Sequence, residues 1–282
     1  MKNVWKLSNY LFDWQWKKWN QKIILGSGIL AVLFLIGAAA PMGNPQSYEY
    51  YPKSFRSYDV VIDQSLLLPL FLVGLVLILV GLSLQIKGFS TNGKGIYTLF
   101  LLPMKRREVY FSFLLSAGAA IAAYYLMWLV ILVAAYFPIM SFYESKAATE
   151  VFRMAQDNII TGLDVSQTNG LFLAFQRSAL LSSFFPASLW KVLPVLGGLA
   201  LIVTGIFFAG FYTEEVGLRV LGSIAGILGG GRIYLLTLWK NLTGMGAYRP
   251  LGYNIVIGGI GLLLAIGLQI VILKKLNHRK DL

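Results

Sequence analysis

Residues 66–86 read LLLPLFLVGLVLILVGLSLQI, a run without a charged side chain. A helix needs roughly 20 apolar residues to cross the hydrocarbon core of a bilayer, so this stretch predicts a transmembrane helix. The rest of the chain has the same character, since 57% of its 282 residues are hydrophobic and only 13% are charged. Soluble domains carry about 25% charged residues, and the chain is therefore expected to be a membrane protein.

Five further segments have the length and composition of membrane spans, so the sequence predicts an all-α membrane protein with six transmembrane helices. The spans are expected near residues 23–40, 66–86, 112–138, 192–211, 220–239 and 253–273. The fifth span is the least apolar, because it contains a run of glycines and Arg232.

The basic residues predict the orientation of these spans. With the N-terminus inside, the inner segments are 1–22, 87–110, 212–219 and 274–282, and they hold most of the 24 lysines and arginines. Since inner loops of membrane proteins are enriched in lysine and arginine, both termini are expected to be cytoplasmic. These loops also explain the net charge of +12, and no nucleic acid partner is expected.

Residues 1–22 are expected to form an interfacial amphipathic helix. One helical face would consist of Leu7, Tyr10, Leu11 and Trp14, which follow the i, i+3, i+4, i+7 spacing. Lysines beside the tryptophans can reach lipid phosphates, which is typical of a helix lying in the headgroup region. The alternative is that the tryptophans only anchor the first span, and in both cases the segment contacts membrane lipids.

Two longer segments, 41–64 and 140–191, lie outside in this topology. The first is polar and rich in tyrosine. The second begins polar and ends in the amphipathic LFLAFQRSALLSSFFPASLW, residues 171–190. This last part is expected to form a helix on the outer leaflet, so the outer segment is predicted to be partly helical.

Residues 88–95 match part of a nucleotide-binding motif without its chemistry. Gly88, Gly93 and Lys94 have the spacing of a P-loop, but Gly95 stands where a serine or threonine would bind Mg²⁺. A P-loop also follows a buried strand, whereas this stretch follows a predicted membrane helix. The chain itself is therefore not expected to bind ATP or any other cofactor.

Enzymatic chemistry is limited by the residue types that the chain lacks. It has no cysteine, and its one histidine is His278, so thiol catalysis and histidine-dependent hydrolysis lack their reacting groups. EEVGLR, residues 214–219, resembles the first motif of the CPBP family of intramembrane proteases, but the later histidines of that family are missing. We expect no catalytic residues and no metal site.

The inner loop 87–110 contains apolar residues that a solvated loop does not need. It reads KGFSTNGKGIYTLFLLPMKRREVY: a basic turn, an apolar run too short to span, a proline and a basic cluster. Such a segment is expected to lie across the inner membrane face and to present its apolar side chains to a partner. If the basic cluster is only a positive-inside anchor, the apolar residues remain unexplained.

This order of features resembles a known family. The glycine-rich turn, YTLFLLP, the basic cluster and EVYFSFLLSA look like the inner loop of the membrane subunits of type-2 ABC exporters, the ABC-2 permease superfamily. Residues 169–190 also look like the segment before the fourth span in permeases of Gram-positive bacteria. The family often has a broken or re-entrant element near spans five and six, and only the glycine-rich fifth span hints at one.

The resemblance implies a bacterial plasma-membrane protein that acts with cytoplasmic ABC ATPase subunits, which would bind ATP and Mg²⁺. It also implies a second permease, either another copy of this chain or a related one. The ATPase would contact a coupling helix in loop 87–110. The residues expected at that contact are Tyr97, Phe100, Leu101, Pro103, Met104 and Arg106, with Glu214 and Glu215 of the other inner loop as a secondary contact.

Three residues within the predicted spans are candidates for a substrate pathway. Arg232 is the one charged residue inside a span, and such residues are functional candidates by default. It either snorkels to the headgroups or lines a cavity for an anionic or peptide substrate. Tyr124 and Trp128 are candidates for lining a hydrophobic conduit, and the alternative for them is helix packing.

Two functions are compatible with these patterns. The first is a permease subunit that exports an amphipathic peptide, a bacteriocin-like molecule, a lipid or a drug, driven by partner ATPases. The second is a membrane protein that transports nothing and binds antimicrobial peptides at its outer loops, as an immunity or sensor protein. An ATPase subunit that copurifies in stoichiometric amount would distinguish the first from the second.

Overall fold

The computed structural model of the chain describes residues 2–39, 57–91, 105–156, 170–212, 216–242 and 251–278. These residues are almost entirely helical, and no strand occurs among them. Six of the helices are long and apolar enough to cross a membrane. The chain is thus an all-α membrane protein with six transmembrane helices, as the sequence predicts.

The helices are numbered in chain order. They are α1 (Lys2–Gln15), a π-helical turn (Trp16–Asn20), α2 (Gln21–Ala39), α3 (Tyr58–Gln64), α4 (Leu67–Thr91), α5 (Arg106–Gln156), α6 (Gly170–Arg177), α7 (Ala179–Phe184), α8 (Leu189–Phe211), α9 (Val216–Leu242) and α10 (Leu251–His278). The six spans lie in α2, α4, α5, α8, α9 and α10.

Several helices extend beyond the spans that hydrophobicity alone predicts. The described ends of loop 87–110 are helical, since α4 continues to Thr91 and α5 begins at Arg106. The start of α5 has a local cause: the Lys105 backbone N–H donates to the Glu108 carboxylate at 3.3 Å, an arrangement that satisfies an unpaired donor before the helix. At its other end α5 continues to Gln156, within the segment predicted to be partly helical.

The fifth span is one uninterrupted helix. α9 continues through the glycines at 229–231 and through Arg232 to Leu242. At Gly229 and Gly230, close contacts with α8 offset the low helix propensity of glycine. The hint of a broken element in this span therefore has no counterpart in α9.

The helices form two compact units. The first holds Met1–Leu25, Leu72–Tyr125 and Ser188–Leu282, and the second holds Gly26–Phe71 and Leu126–Ala187. α2, α4 and α5 each contribute one part to each unit.

In the first unit, α8 is the central helix and packs against both α9 and α10. Glycines allow this close approach, since Gly205 of α8 faces Gly226 of α9, and Gly197 faces Gly258 of α10. In a bilayer, small residues bring helix backbones together and gain packing contacts that lipid cannot supply. In the apolar stretch of each helix, 67% of the residues are buried in α8, against 22% in α9 and 22% in α10.

The second unit has an aromatic core. The ring of Phe71 meets Trp128 edge to face with centroids 5.4 Å apart, and it lies 4.9 Å from the ring of Phe184 in α7. The Tyr58 hydroxyl of α3 donates a hydrogen bond to the backbone carbonyl of Leu132 in α5. The short helices α3, α6 and α7 pack together, so the partly helical part of the predicted outer segment folds against α3.

Candidate functional site

Most residues expected at the ATPase contact lie outside the described part of the chain. These are Tyr97, Phe100, Leu101, Pro103 and Met104 of the first inner loop, and Glu214 and Glu215 of the second. Arg106 is described and is the first residue of α5. The described surroundings of the site are the helix ends that adjoin the two loops.

Those helix ends meet in one cluster within the first unit, here called the helix-end cluster. It is built mainly from buried side chains near the ends of α4, α5, α8 and α10, together with one face of α1. Its members include Leu7, Leu11, Leu82, Ile86, Val109, Tyr110, Phe113, Phe207, Phe208, Phe211, Tyr212, Ile272 and Leu276. Both predicted inner loops are thus continuous in sequence with helices that share one core.

Aromatic rings connect α5 to α8 inside the helix-end cluster. The Tyr110 ring lies edge-on to Phe207 and to Phe211, with centroid distances of 5.6 and 5.4 Å. Phe113 meets Phe211 in the same way at 5.5 Å. Edge-to-face pairs are stabilised by their ring geometry in addition to the area that they bury. A displacement of the first turns of α5 would therefore also shift the end of α8.

Polar contacts attach α1 to the same helices. The Ser112 hydroxyl of α5 lies 3.1 Å from the Val4 carbonyl oxygen of α1 and 2.7 Å from the Glu108 carbonyl oxygen of its own helix. The Gln85 side-chain amide of α4 donates to the Leu11 carbonyl oxygen at 3.4 Å. α1 is therefore held by both helices that flank loop 87–110.

The stripe of α1 that the sequence predicts to face lipid is partly buried in the protein and partly exposed. Leu7 and Leu11 are buried in the helix-end cluster, whereas Tyr10 is 60% exposed. Trp19 is also exposed, and the Lys18 ammonium lies 4.7 Å from the Trp14 ring centroid. The leucines serve the protein core, and the exposed aromatic and basic side chains have the character of an interfacial anchor.

Two buried amides lie at the π-helical turn between α1 and α2, Gln15 directly before it and Asn20 as its last residue. Gln15 and Asn20 are fully buried, and the described residues provide no hydrogen-bond partner for either side-chain amide. Asn20 packs next to Gly81 of α4. Single π-helical turns often occur at functional positions, and an unpaired buried amide costs free energy. The turn is therefore an energetically weak point in the connection between α1 and α2. The signal in the sequence was two amides inside an otherwise amphipathic pattern.

Arg232 lies on the exposed side of α9, away from α8. It lines a shallow groove of about 640 Å³ along α9 with Leu228, Leu235 and Trp239 among its neighbours. No hydrogen bond or ion pair to its guanidinium is found in the part of the chain that the structure describes. Arg232 is thus a charged residue on an apolar face, seven residues before the end of the span at Trp239.

Tyr124 and Trp128 are both fully buried, and each is packed within its own unit. The Tyr124 hydroxyl lies against Gly74 of α4, and Trp128 packs edge-on against Phe71. The neighbouring Tyr125 shares a hydrogen bond with Tyr234 of α9. In this structure these side chains connect helices, and a role in a conduit stays a prediction.

The second unit contains an apolar groove between α2 and α5. Its volume is about 710 Å³, and it is lined by Val32, Leu35, Ile36, Ala39, Val130, Ile131, Ala134, Ala135, Pro138, Ile139 and Phe142. At Gly28 of α2, which precedes the groove residues in the chain, the two helices are in close contact, because the Met127 sulfur of α5 lies near this glycine. Because Pro138 has no N–H, it cannot donate to the Ala134 carbonyl, so one backbone acceptor without its helical partner adjoins an otherwise apolar surface.

An acidic cap joins α3 to α7 in the second unit. The Asp63 carboxylate accepts hydrogen bonds from the Ser178 hydroxyl at 2.8 Å and from the Ala179 backbone N–H at 3.0 Å. Partial burial raises the pKa of Asp63, and these hydrogen bonds offset part of that rise. The carboxylate also complements the positive end of α7, and no pattern in the sequence announced this contact.

The described residues contain no candidate metal site, because no three histidine, cysteine, aspartate or glutamate side chains come together among them. The chain matches no protein-family model, no curated protein and no solved structure. Its geometry and sequence pattern are therefore the basis for a functional proposal.

Proposed function

We propose that this chain is the membrane-spanning permease subunit of an ATP-binding cassette exporter. It would move an amphipathic peptide, bacteriocin-like molecule, lipid or drug outward, using ATP that separate cytoplasmic ATPase subunits hydrolyse. One observation carries the proposal: α4 and α5, which flank the first inner loop, and α8, which precedes the second, share a single core with α1. The likeness of loop 87–110 to the family's coupling region, described above, gives that core its proposed purpose.

The mechanism is mechanical. When the partner ATPases bind Mg²⁺-ATP and close, they displace loop 88–107, and Arg106 transmits the displacement into the first turn of α5. Tyr110 and Phe113 pass it to α8, and Ser112 passes it to α1. The ATPases shift the equilibrium only if they contact the two conformations differently, which the apolar loop residues would provide.

The π-helical turn is the connection through which the displacement of α1 would reach the first span. α1 is attached to α4 and α5, whereas α2 continues from it through Trp16–Asn20. A change of angle at this turn would move the first span relative to α4. Spans one, two and five would then repack and open an outward path.

The groove between α2 and α5 is the proposed contact for the apolar part of the substrate. In the predicted orientation, Val32 to Ala39 belong to the outer half of the first span. An apolar lining with one backbone acceptor suits an acyl chain or an apolar helix face better than a charged solute. The chain would work as a dimer with a second copy or with a related permease, and it would bind no cofactor itself.

The test is a purification of the complex from its native membrane. We expect a P-loop ATPase in stoichiometric amount, and its loss with Phe100→Asp or Leu101→Asp, because a carboxylate would be buried at the contact. Leu189→Asp is the control, since Leu189 is 84% exposed at the far end of α8. A complex that persists with full transport in both loop variants would refute the proposal.

The alternative, an immunity or sensor protein, has one structural observation in its favour. Helices α3, α6 and α7 form a folded layer fixed by Asp63, and such a surface could hold an extracellular peptide. A purified chain that binds an antimicrobial peptide, confers resistance and carries no ATPase would establish this function instead.

A further inference from the structure

One side of α9 is left uncovered. Leu221, Leu228, Leu235 and Trp239 are each at least 65% exposed, and Arg232 is exposed between them. Positions 221, 228, 232, 235 and 239 recur at helical spacing and form one stripe, here called the Arg232 face. The opposite side of α9, with Gly226 and Gly230, packs on α8.

No described residue neutralises the positive charge on the Arg232 face. No hydrogen bond or ion pair from the described residues reaches the guanidinium. The apolar segments 23–39, 67–86, 109–142, 189–211, 216–239 and 252–276 contain no aspartate or glutamate. A second copy of this chain therefore has no carboxylate within these segments to offer, and a carboxylate at the depth of Arg232 has to come from a different chain.

The depth of Arg232 favours a protein helix over a lipid headgroup. It stands seven residues before Trp239, where the span ends, which corresponds to about 10 Å along the helix axis. A phosphate at the interface requires the side chain to extend over that distance or the bilayer to become thinner. A carboxylate on a neighbouring helix at the same depth needs neither.

The shape of the face also suits a helix. Gly231 lies directly beside Arg232, and a Cβ built at Gly231 would meet no atom within 4 Å. A backbone could approach closely at this point and bring a short acidic side chain to the guanidinium. Leu221, Leu228, Leu235 and Trp239 offer apolar contacts over about five turns of helix.

We infer that the Arg232 face binds a transmembrane helix of a different chain, one that carries an aspartate or glutamate within the membrane at the depth of Arg232. This goes beyond the exporter proposal and does not depend on it, since it requires only that α9 spans the bilayer. It makes the assembly heteromeric at this surface.

Fluorescence transfer in phosphatidylcholine vesicles tests the inference directly. Because the chain has no cysteine, Leu228→Cys provides a unique position for a donor dye on the face, and Leu263→Cys provides a matched position on exposed α10. The probe is an acceptor-labelled polyleucine transmembrane peptide with one glutamate seven residues from the end of its apolar segment, the depth of Arg232 in its own span. The control peptide has leucine at that position.

We expect the glutamate peptide to bind about ten-fold more tightly than the leucine peptide, in line with polar helix contacts in membranes. Transfer should be strong from position 228 and weak from position 263. Arg232→Leu should remove the ten-fold preference, and Arg232→Lys should keep most of it. Circular dichroism of each variant shows that the fold is retained, which the exposure of Arg232 leads us to expect.

Three outcomes would overturn the inference. Equal binding of the two peptides, or a preference that survives Arg232→Leu, would show that the charge does not select the partner. Transfer between donor- and acceptor-labelled copies of the chain through position 228 would show that a second copy covers this face. Loss of the peptide preference when phosphatidylglycerol is added, with quenching at position 228 by its brominated form, would assign Arg232 to an anionic lipid.

Discussion

Gly205 of α8 and Gly226 of α9 lie back to back. A Cβ added at Gly226 would stand 2.6 Å from the Gly205 Cα and 3.0 Å from the Leu201 carbonyl oxygen. Both neighbouring atoms belong to a helix backbone, which cannot rotate away as a side chain can. The contact therefore depends on the absence of a methyl group on either side.

Gly226→Ala should lower the free energy of unfolding in detergent by about 1–3 kcal/mol, the usual cost of overpacking. The matched control is Gly259→Ala in α10, where an added Cβ would meet nothing within 4 Å. That variant should not lower the stability, because the added methyl meets no neighbouring atom and alanine has a higher helix propensity than glycine. Thermal unfolding of the two variants checks the prediction, and equal melting temperatures would show that α8 and α9 are not packed this closely.

A second close contact lies between Gly74 of α4 and the Tyr124 hydroxyl of α5. Gly74→Ala should destabilise the protein, since the new methyl would overlap that hydroxyl. Tyr124→Phe removes the overlapping oxygen, so the double variant should recover roughly 1 kcal/mol relative to the sum of the single changes. A double-mutant cycle measured by thermal unfolding tests this, and strictly additive effects would place Tyr124 elsewhere.

Much of the fold follows from the sequence, because length and apolar composition decide which segments cross a membrane. Length and composition do not distinguish glycines that pack against a neighbouring helix from glycines that have no neighbouring atom. Gly258 and Gly259 are adjacent in one helix, yet only Gly258 contacts a neighbour, the backbone of Leu193 and Pro194. Which glycine faces α8 depends on the rotation of α10, and that rotation is set by tertiary packing.

The candidate site was predictable only in part. The apolar residues of loop 87–110 predict a partner surface, and this stays a prediction because residues 92–104 lie outside the described part of the chain. The burial of Leu7 and Leu11 in the helix-end cluster was not indicated, because the same stripe suits a lipid surface equally well. The contact of Asp63 with Ala179 joins residues more than a hundred positions apart, and a long-range hydrogen bond has no local pattern.

The pKa of Asp63 predicts a pH dependence of stability. Burial raises this pKa in the folded state, so folding favours the protonated carboxyl. The resulting stabilisation is complete at low pH and is lost as pH rises from the ordinary aspartate value of about 4 through the raised value. Asp63→Asn should flatten this part of the stability profile, because asparagine does not titrate but still offers an acceptor to the Ala179 N–H.

Asp63→Ala separates the hydrogen bonds from the charge. It removes the acceptor and should cost about 1 kcal/mol relative to Asp63→Asn at all pH values, as the loss of a helix cap does. Unfolding curves over a pH series compare the three proteins. A wild-type profile that stays flat, or an Asn variant that keeps the wild-type slope, would show that another group titrates.

The apolar groove of the second unit predicts where transport can be blocked. Ala135 lines the groove, and Ala135→Trp would fill much of it with an indole ring. Transport should fall at least ten-fold while binding of the ATPase is unchanged. Leu126→Trp is the control, because Leu126 is exposed on α5 and does not line the groove. Equal transport in the two variants would exclude the groove as the substrate contact.

Neighbouring residues of α1 test whether this helix transmits movement. Leu11 is fully buried in the helix-end cluster, whereas Tyr10 points away from it. Leu11→Ser should disconnect α1 from α4 and α5, so that the ATPase still binds and hydrolyses ATP but transport falls several-fold. Tyr10→Ser, which changes an exposed side chain of the same helix, should leave transport unchanged.

The ratio of transport to ATP hydrolysis in vesicles is the decisive measurement, because misfolding would lower both quantities together. A reduced ratio for Leu11→Ser alone would support transmission through α1. If the ratio stays at the wild-type value, α1 is an anchor that takes no part in the movement. The apolar loop residues would then act on the spans through α5 and α8, where Tyr110 and Phe211 are in contact.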